Sequence, residues 1–363
     1  MVNQENFWFI QTLKVELRHK QLRFRKPAKT SRDVLTVRDI YFILLIDEST
    51  GKTGIGECAP LKGLSIEIGG AYLDNLKNTC SKTIMFEDWQ SILTSHPSIL
   101  FGFETALLDL KNEGERNIFP SDQCITIPIN GLVWMSEKEQ MLNEAFQKIE
   151  AGYKCIKLKI GGIDFVEELS ILKEIRKNFP PEKLTIRIDA NGAFSIEEAN
   201  KKLDVLSQFD IHSIEQPIKA GNRDFMALLV TQSPIKIALD EELIGEYDHK
   251  EKVKLLETIL PNYIILKPTL HGGICGSNEW IEIATSLGID WWATSALESN
   301  IGLNAISQWV ATKNPILEQG LGTGMLFENN IPSPITIESG QLTYDPLKNW
   351  DISEIYDQNS LIL

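Results

Sequence analysis

Five cysteines in 363 residues, Cys58, Cys80, Cys124, Cys155 and Cys275, are few, odd in number, widely spaced and without a C-x-x-C pair. Neither a disulfide framework nor a cysteine-built zinc site organises such a chain, and a reduced, cytoplasmic compartment is expected. No apolar run reaches the length of a membrane span, and the N-terminus lacks the basic start, apolar core and small-residue cleavage site of a signal peptide. Basic clusters are also missing. The 36 Lys and Arg against 50 Asp and Glu give a net charge of -14 spread along the chain, which argues against nucleic acid and against anionic membrane surfaces as partners. The chemistry below implies a small-molecule carboxylate substrate, with monomer and homo-oligomer both open. An acidic surface does not exclude an anionic substrate, because local lysines decide that.

What the chain does have is enough apolar sequence, 43% of residues, for one barrel of about 200 to 250 residues and a second domain. Short apolar runs recur that end in ionisable residues: Cys155-Ile156-Lys157-Leu158-Lys159-Ile160, Leu184 to Asp189, Ile211 to Glu215, Ile237 to Asp240 and Tyr263 to Lys267. Each reads as a buried strand, and helix-patterned segments starting near Ser136, Phe165, Ile196, Arg223, Lys250, Ile274 and Ile301 lie between and after them. The repeat of about 25 to 30 residues is that of a βα unit. Charges at the ends of successive parallel strands emerge at one mouth of a barrel, where barrels carry their chemistry.

Asp189, Glu215 and Asp240 are hard oxygen ligands, too few to fill six positions, which suits Mg²⁺ (or Mn²⁺) with open sites for substrate. Without a cation they would repel one another. A lysine beside such a cation has its ammonium form disfavoured, so Lys159 can serve as general base, with Lys157 on the same strand face pushing it further. Removing a proton α to a substrate carboxylate would give an enediolate, whose added charge the metal and Lys267 could stabilise. Inward lysines on a strand covered on both faces need a reason. Asn191 and Gln216 could orient neighbouring carboxylates, although Asn191-Gly192 is also a good turn. Arg187, two residues before Asp189, either binds a substrate carboxylate or forms a buried ion pair. His212 and His271 read as structural.

At these residues the chain resembles the enolase superfamily. The Lys157-Leu158-Lys159 pair and Lys267 look like its muconate-cycloisomerase subgroup, as do Pro128-Ile129-Asn130-Gly131, Asp189-Ala190-Asn191-Gly192, Ile214-Glu215-Gln216-Pro217, Asp240-Glu241, Lys267-Pro268-Thr269 and Ser295-Ala296-Leu297-Glu298-Ser299. The resemblance implies an α/β fold, a (β/α)7β TIM-like barrel over 125–322, with an α+β capping domain over 1–120 and a C-terminal segment, 323–363, returning to it. It implies Lys159, Lys267 and Lys157 as catalytic residues and Mg²⁺ on Asp189, Glu215 and Asp240. Asn191, Ser295, Gly322 and Thr323 are the expected substrate contacts. The reaction implied is a syn dehydration of a hydroxycyclohexadiene carboxylate carrying a succinyl chain, a step of menaquinone biosynthesis. Racemisation of an N-succinylamino acid, a muconate cycloisomerase reaction and a non-catalytic binding barrel are the alternatives. Dipeptide epimerases of the subgroup carry an Asp-x-Asp pair where this chain has Gly322-Thr323-Gly324, which argues against a free amino group on the substrate.

In the N-terminal part, Phe7 to Phe24 and Asp39 to Ile46 read as antiparallel strands, and 66 to 112 as helical. Pro27 to Val37 and the glycine-punctuated stretch Gly54 to Leu61 read as loops over the barrel mouth. Residues 117 to 124 read as a linker into a first barrel strand at Thr126, and Ile335 to Tyr344 alternates again.

Overall fold

The computed structural model describes residues 13–29, 34–67, 69, 71–83, 93–357 and 360–361; the parts of the readings that fall on 7–12, 30–33 and 84–92 lie outside them, whereas the ends of the expected Pro27 to Val37 loop belong to paired strands, at 27–29 and at 34–37. Strands β1 (Leu13–Lys29), β2 (Val34–Asp47) and β3 (Lys52–Cys58) form an antiparallel sheet whose outer edge is extended by β14 (Ser360–Leu361), in the order β14-β1-β2-β3. The β2–β3 turn is set by Asp47, whose carboxylate accepts from Ser49 N and Thr50 Oγ1, and by Gly51 at φ 73°.

Alternation along β2 splits its side chains between two cores. Ile43 and Leu45 pack with helices α1 (Tyr72–Thr83) and α2 (Pro97–Lys111), while Ile40, Phe42 and Leu44 pack against Leu297, Ile301 and Phe327. The glycine-rich stretch expected as a loop is strand as far as Cys58. Its glycines exist for close approach: a Cβ on Gly54 would lie 2.1 Å from Ala106 O, and one on Gly56 1.8 Å from Gly102 O. Only Ala59 onward is free to serve as a wall of the mouth.

Seven parallel strands follow, β5 (Gly131–Val133), β6 (Cys155–Lys159), β7 (Thr185–Asp189), β8 (Ser213–Glu215), β9 (Ile237–Leu239), β10 (Tyr263–Leu266) and β11 (Asp290–Ala293), each adjacent to its sequence neighbour. Helices α3 (Lys138–Glu150), α4 (Phe165–Asn178), α5 (Ile196–Leu206), α6 (Arg223–Gln232), α7 (His249–Ile259) and α8 (Gly273–Ser286) connect them, and α9 (Asn300–Ala311) follows β11. Side-chain caps start some of these helices: Asp164 accepts from Val166 N, and Asp248 from Lys250 N and Glu251 N. Ile156, Leu158, Ile186, Ile188, Ile214 and Leu239 face the helices, fully or almost fully buried. Each such side chain contributes roughly 1.5–3 kcal/mol. That apolar layer offsets the charged residues on the other face of the same strands.

Gln319 and Gly320 hydrogen-bond to both edges of this sheet. Gly320 N donates to Ala293 O (2.8 Å), while Gln319 O accepts from Asn130 N (3.0 Å) and Gln319 N donates to Pro128 O (2.8 Å). Thr126 is not in the parallel sheet. Its strand β4 (Ile125–Pro128) pairs antiparallel with β13 (Gln341–Tyr344), which pairs with β12 (Ile335–Glu338). The alternation at 335–344 is therefore satisfied by β4, and Ser360–Leu361 pairs with β1.

Candidate active site

The register of the parallel sheet brings the strand-end charges to one level: Lys159 lies opposite Asp189, and Asp189 opposite Glu215. Asp189 and Asp240 are wholly buried, Glu215 is 2% exposed, and the three lysines are no more than 9% exposed. Lys157 Nζ donates to Asp189 Oδ2 (3.1 Å) and Glu215 Oε2 (2.7 Å). Lys159 Nζ donates to Asp189 Oδ2 (2.5 Å) and Asn191 Oδ1 (2.7 Å), and Lys267 Nζ donates to Asp240 Oδ2.

Burial alone would push all three carboxyls up. Lys159 and Lys157 overcome it at Asp189, and Lys267 at Asp240, so both are held below the usual carboxylate range. At Glu215, burial and the charge of Asp189 win, and its carboxyl is raised well above that range. Burial opposes the charge on Lys157, but Glu215 and Asp189 outweigh it, raising its ammonium pKa.

Among the described residues no group of three or more His, Cys, Asp or Glu is drawn together around a common point. The lysines stand among the carboxylates instead. Two carboxylate oxygens, Glu215 Oε1 and Asp240 Oδ1, are nevertheless buried without a hydrogen-bond partner, a costly state that a hard cation would relieve. Together with Asp189 they are hard oxygen donors of the kind a divalent cation takes.

Residues next to the carboxylates hold them in place. Asn191, at φ 46°, donates from its backbone N to Asp189 Oδ1 (3.0 Å) and from Nδ2 to Glu241 Oε1 (3.0 Å). Gln216, at φ 39°, accepts from Asp240 N and Glu242 N through Oε1 (3.2 and 3.3 Å). His271, fully buried, accepts from Lys267 N through Nδ1 (2.9 Å). Arg187 stacks 4.1 Å above Trp292 and donates to Glu318 O (2.6 Å), with the Glu318 carboxylate at 3.7 Å. Of its two alternatives, the buried ion pair is the one the structure shows.

Lys157, Lys159, Lys267, Asn191, Ser295, Gly322 and Thr323 all line one cavity of about 300 Å³. Leu61 to Leu64, Trp134 and Leu297 are among its other walls; Leu61 and Leu297 fall in stretches the sequence marks, whereas 62–64 and Trp134 carry no such signal. The Ser295 hydroxyl hydrogen is already committed: Oγ donates to Glu298 Oε2 (2.5 Å) and accepts from Leu297 N (3.0 Å). Thr323 Oγ1 is buried, facing no partner. It remains available to a ligand.

A profile of the family described as enolase C-terminal domain-like matches residues 140–346. The chain belongs to the enolase superfamily. Among its superfamily relatives, an o-succinylbenzoate synthase of Desulfotalea psychrophila is 42% identical over 91% of this chain and 98% of its own. The crystal structure of MenC from the same organism superimposes with a TM-score of 0.77 at 39% identity, covering 91% of this chain and 99% of that one. A dipeptide epimerase from Cytophaga hutchinsonii, whose structure carries Mg and the dipeptide D-Ala-L-Val, gives a TM-score of 0.81 at 20% identity over 96% and 99% of the two chains; that likeness is one of fold. Among the described residues no helix is long and apolar enough to cross a membrane.

Proposed function

We propose that this chain is an o-succinylbenzoate synthase, a hydro-lyase that converts 2-succinyl-6-hydroxy-2,4-cyclohexadiene-1-carboxylate to o-succinylbenzoate in menaquinone biosynthesis. The observation that carries the reading is that Lys159, at the end of β6, and Lys267, directly after β10, line one cavity, with the carboxylate-bearing ends of β7 to β9 between those two strands in the sheet. Lysines and carboxylates alone would fit other reactions of the superfamily; the 42% identity over nearly the whole chain favours this one. We read the parallel sheet, with its edges joined through Gln319 and Gly320, as a (β/α)7β barrel. The capping domain spans 1–120, the barrel 125–322, and 323–363 is the returning C-terminal segment. The enzyme works in the cytoplasm.

Asp189, Glu215 and Asp240 would hold a divalent cation, Mg²⁺ with Mn²⁺ as substitute, which would supply Lewis-acid charge at the substrate carboxylate. Lys159 removes the proton from C1, α to that carboxylate. In a syn elimination it then returns the proton to the hydroxyl leaving C6, so that water departs and the ring becomes aromatic. Lys157, tied to Asp189 and Glu215, stays charged. Lys267 stays protonated, its charge opposing the negative charge that develops on the substrate. Asn191 orients Asp189 and Lys159, and Ser295, Gly322 and Thr323 contact the remainder of the substrate.

The test is the dehydration itself, followed through the absorbance of the aromatic product, alongside α-proton exchange on both enantiomers of an N-succinylamino acid. Faster exchange than dehydration in the wild-type enzyme would replace this reading with the racemase one.

A further inference from the structure

Arg38 is a guanidinium placed where an apolar side chain belongs. It continues the β2 stripe of Ile40, Phe42 and Leu44 and is only 5% exposed. Burial works against its charge, and the nearby carboxylates of Glu298 and Glu57 work for it. Its two terminal nitrogens reach in two directions: Nη1 donates to Ala296 O and Nη2 to Ala59 O.

Those two carbonyls belong to two different segments that supply or lead into walls of the cavity. Ala59 precedes the Leu61 to Leu64 wall contributed by the N-terminal part of the chain, and Ala296 lies within the Ser295 to Leu297 wall that follows β11. The second wall is strained. Leu297 has φ 67°, a conformation a branched side chain adopts only when its surroundings enforce it. Ser295 Oγ holds the Leu297 amide on one side, and Arg38 holds the preceding carbonyl on the other. Glu298, fully buried, ties the same wall to the lysine strand by accepting from Ser295 Oγ and from Thr269 Oγ1, two residues beyond Lys267.

We propose that Arg38 is a positioning residue which pins the Ala59 to Leu64 wall to the strained Ser295 to Leu297 wall, and so sets the shape of the cavity around the part of the substrate remote from the reacting carbons. The substrate in this statement rests on the function proposed above. The pin itself does not. A planar fork with several donors is what two divergent carbonyls require, and a lysine, a single point of charge, can satisfy one of them.

Arg38→Lys is therefore the variant of choice, because it keeps charge and most of the bulk; Arg38→Met is its harsher companion. In ligand-free protein, amide hydrogen exchange in Arg38→Lys is expected to accelerate at 59–65 and 295–298 while the β6 to β10 strands stay as in wild type. With substrate, KM and the dissociation constant of o-succinylbenzoate are each expected to rise by about tenfold for the loss of one charged hydrogen bond, with kcat within about threefold, because the lysines are untouched. Unchanged exchange in both walls overturns the pin, as does a lower melting temperature with unaltered KM and product affinity. If the wild type turns over no cyclohexadiene substrate, the function reading fails, while the exchange measurement still decides the pin.

Discussion

Two sets of buried carboxylates stand within this chain, and they are satisfied in different ways. Glu57 and Glu104 reach from the N-terminal region to the starts of the two helices that flank β11. Glu57 accepts from Ser299 N (2.8 Å), Ser299 Oγ (2.5 Å) and Gly302 N (2.8 Å) at α9; Glu104 accepts from Ile274 N (2.6 Å) and Cys275 N (3.2 Å) at α8. Every oxygen has a donor, and the donors are mostly backbone at helix N-termini. Asp189, Glu215 and Asp240 are buried as deeply, yet apart from Asn191 N on Asp189 their donors are lysine side chains, and Glu215 Oε1 and Asp240 Oδ1 have none. The first set is complete without a ligand and holds the fold together. The second leaves two buried oxygens open, which a bound cation would fill, and that difference in satisfaction tells the two sets apart where burial does not.

The comparison breaks most severely if the second set needs no cation. Excess chelator is expected to take turnover to the uncatalysed level and added Mg²⁺ to restore it, while the melting temperature rises with Mg²⁺ concentration by mass action. Asp240→Asn should weaken that thermal response. Full turnover in excess chelator would show that the orphan oxygens are no metal site. Next in size is Lys159→Arg, which keeps the charge beside Asp189 but holds a proton it cannot release near neutral pH. Its kcat should fall by roughly 10²–10⁴-fold, the usual value of a general base. A loss of only a few fold would move the base to another residue.

The ligand-like set was legible in the sequence and the structural set was not, for a physical reason. Lys157, Lys159, Asp189, Glu215, Asp240 and Lys267 sit at the ends of β-branched runs repeating at a βα period, so pattern alone brings them to one mouth. Glu57 and Glu104 meet backbone amides hundreds of residues or more than a hundred away, and a backbone amide leaves no residue-type signal. Gly54 to Cys58 shows the same limit: glycines spaced for contact with Gly102 and Ala106 on α2 look like loop punctuation until the helix is known to cross there. A signal did exist for Arg38, the one charge on a period-two stripe of β2 that is apolar from Ile40 to Ile46. Thr126 was misplaced because alternation marks a strand without naming its partner, here β13 and not the parallel sheet.

A smaller effect sharpens the catalytic side of the comparison. Lys267 pairs with Asp240, and in a dehydration on one face it exchanges no proton with substrate. Lys267→Ala should slow the reaction by about 10²–10³-fold, the usual value of one electrostatic donor. Lys267→Arg, which keeps a cation that is a poor acid or base, should recover part of that loss. Equal damage from both substitutions would make Lys267 a proton-transferring residue, as a racemase requires.

The least effect on activity, and the clearest on stability, is expected at Glu104. Burial raises its carboxyl to about 8, outweighing the two amide donors. The folded protein therefore keeps a proton on Glu104 that the unfolded chain releases above about pH 4.3. The stabilisation this gives is fully present below that value, declines as pH rises, and is gone above about 8. Glu104→Gln cannot ionise, so its cost relative to wild type should be largest near pH 5 and shrink towards pH 9, by up to about 4 kcal/mol in total. Urea unfolding of both proteins across that range checks the sign: a cost that grows with pH would mean that Glu104 is held as a carboxylate by the α8 amides. kcat at pH 7.5 should stay within about threefold of wild type, because the contact lies at a helix start and not in the cavity.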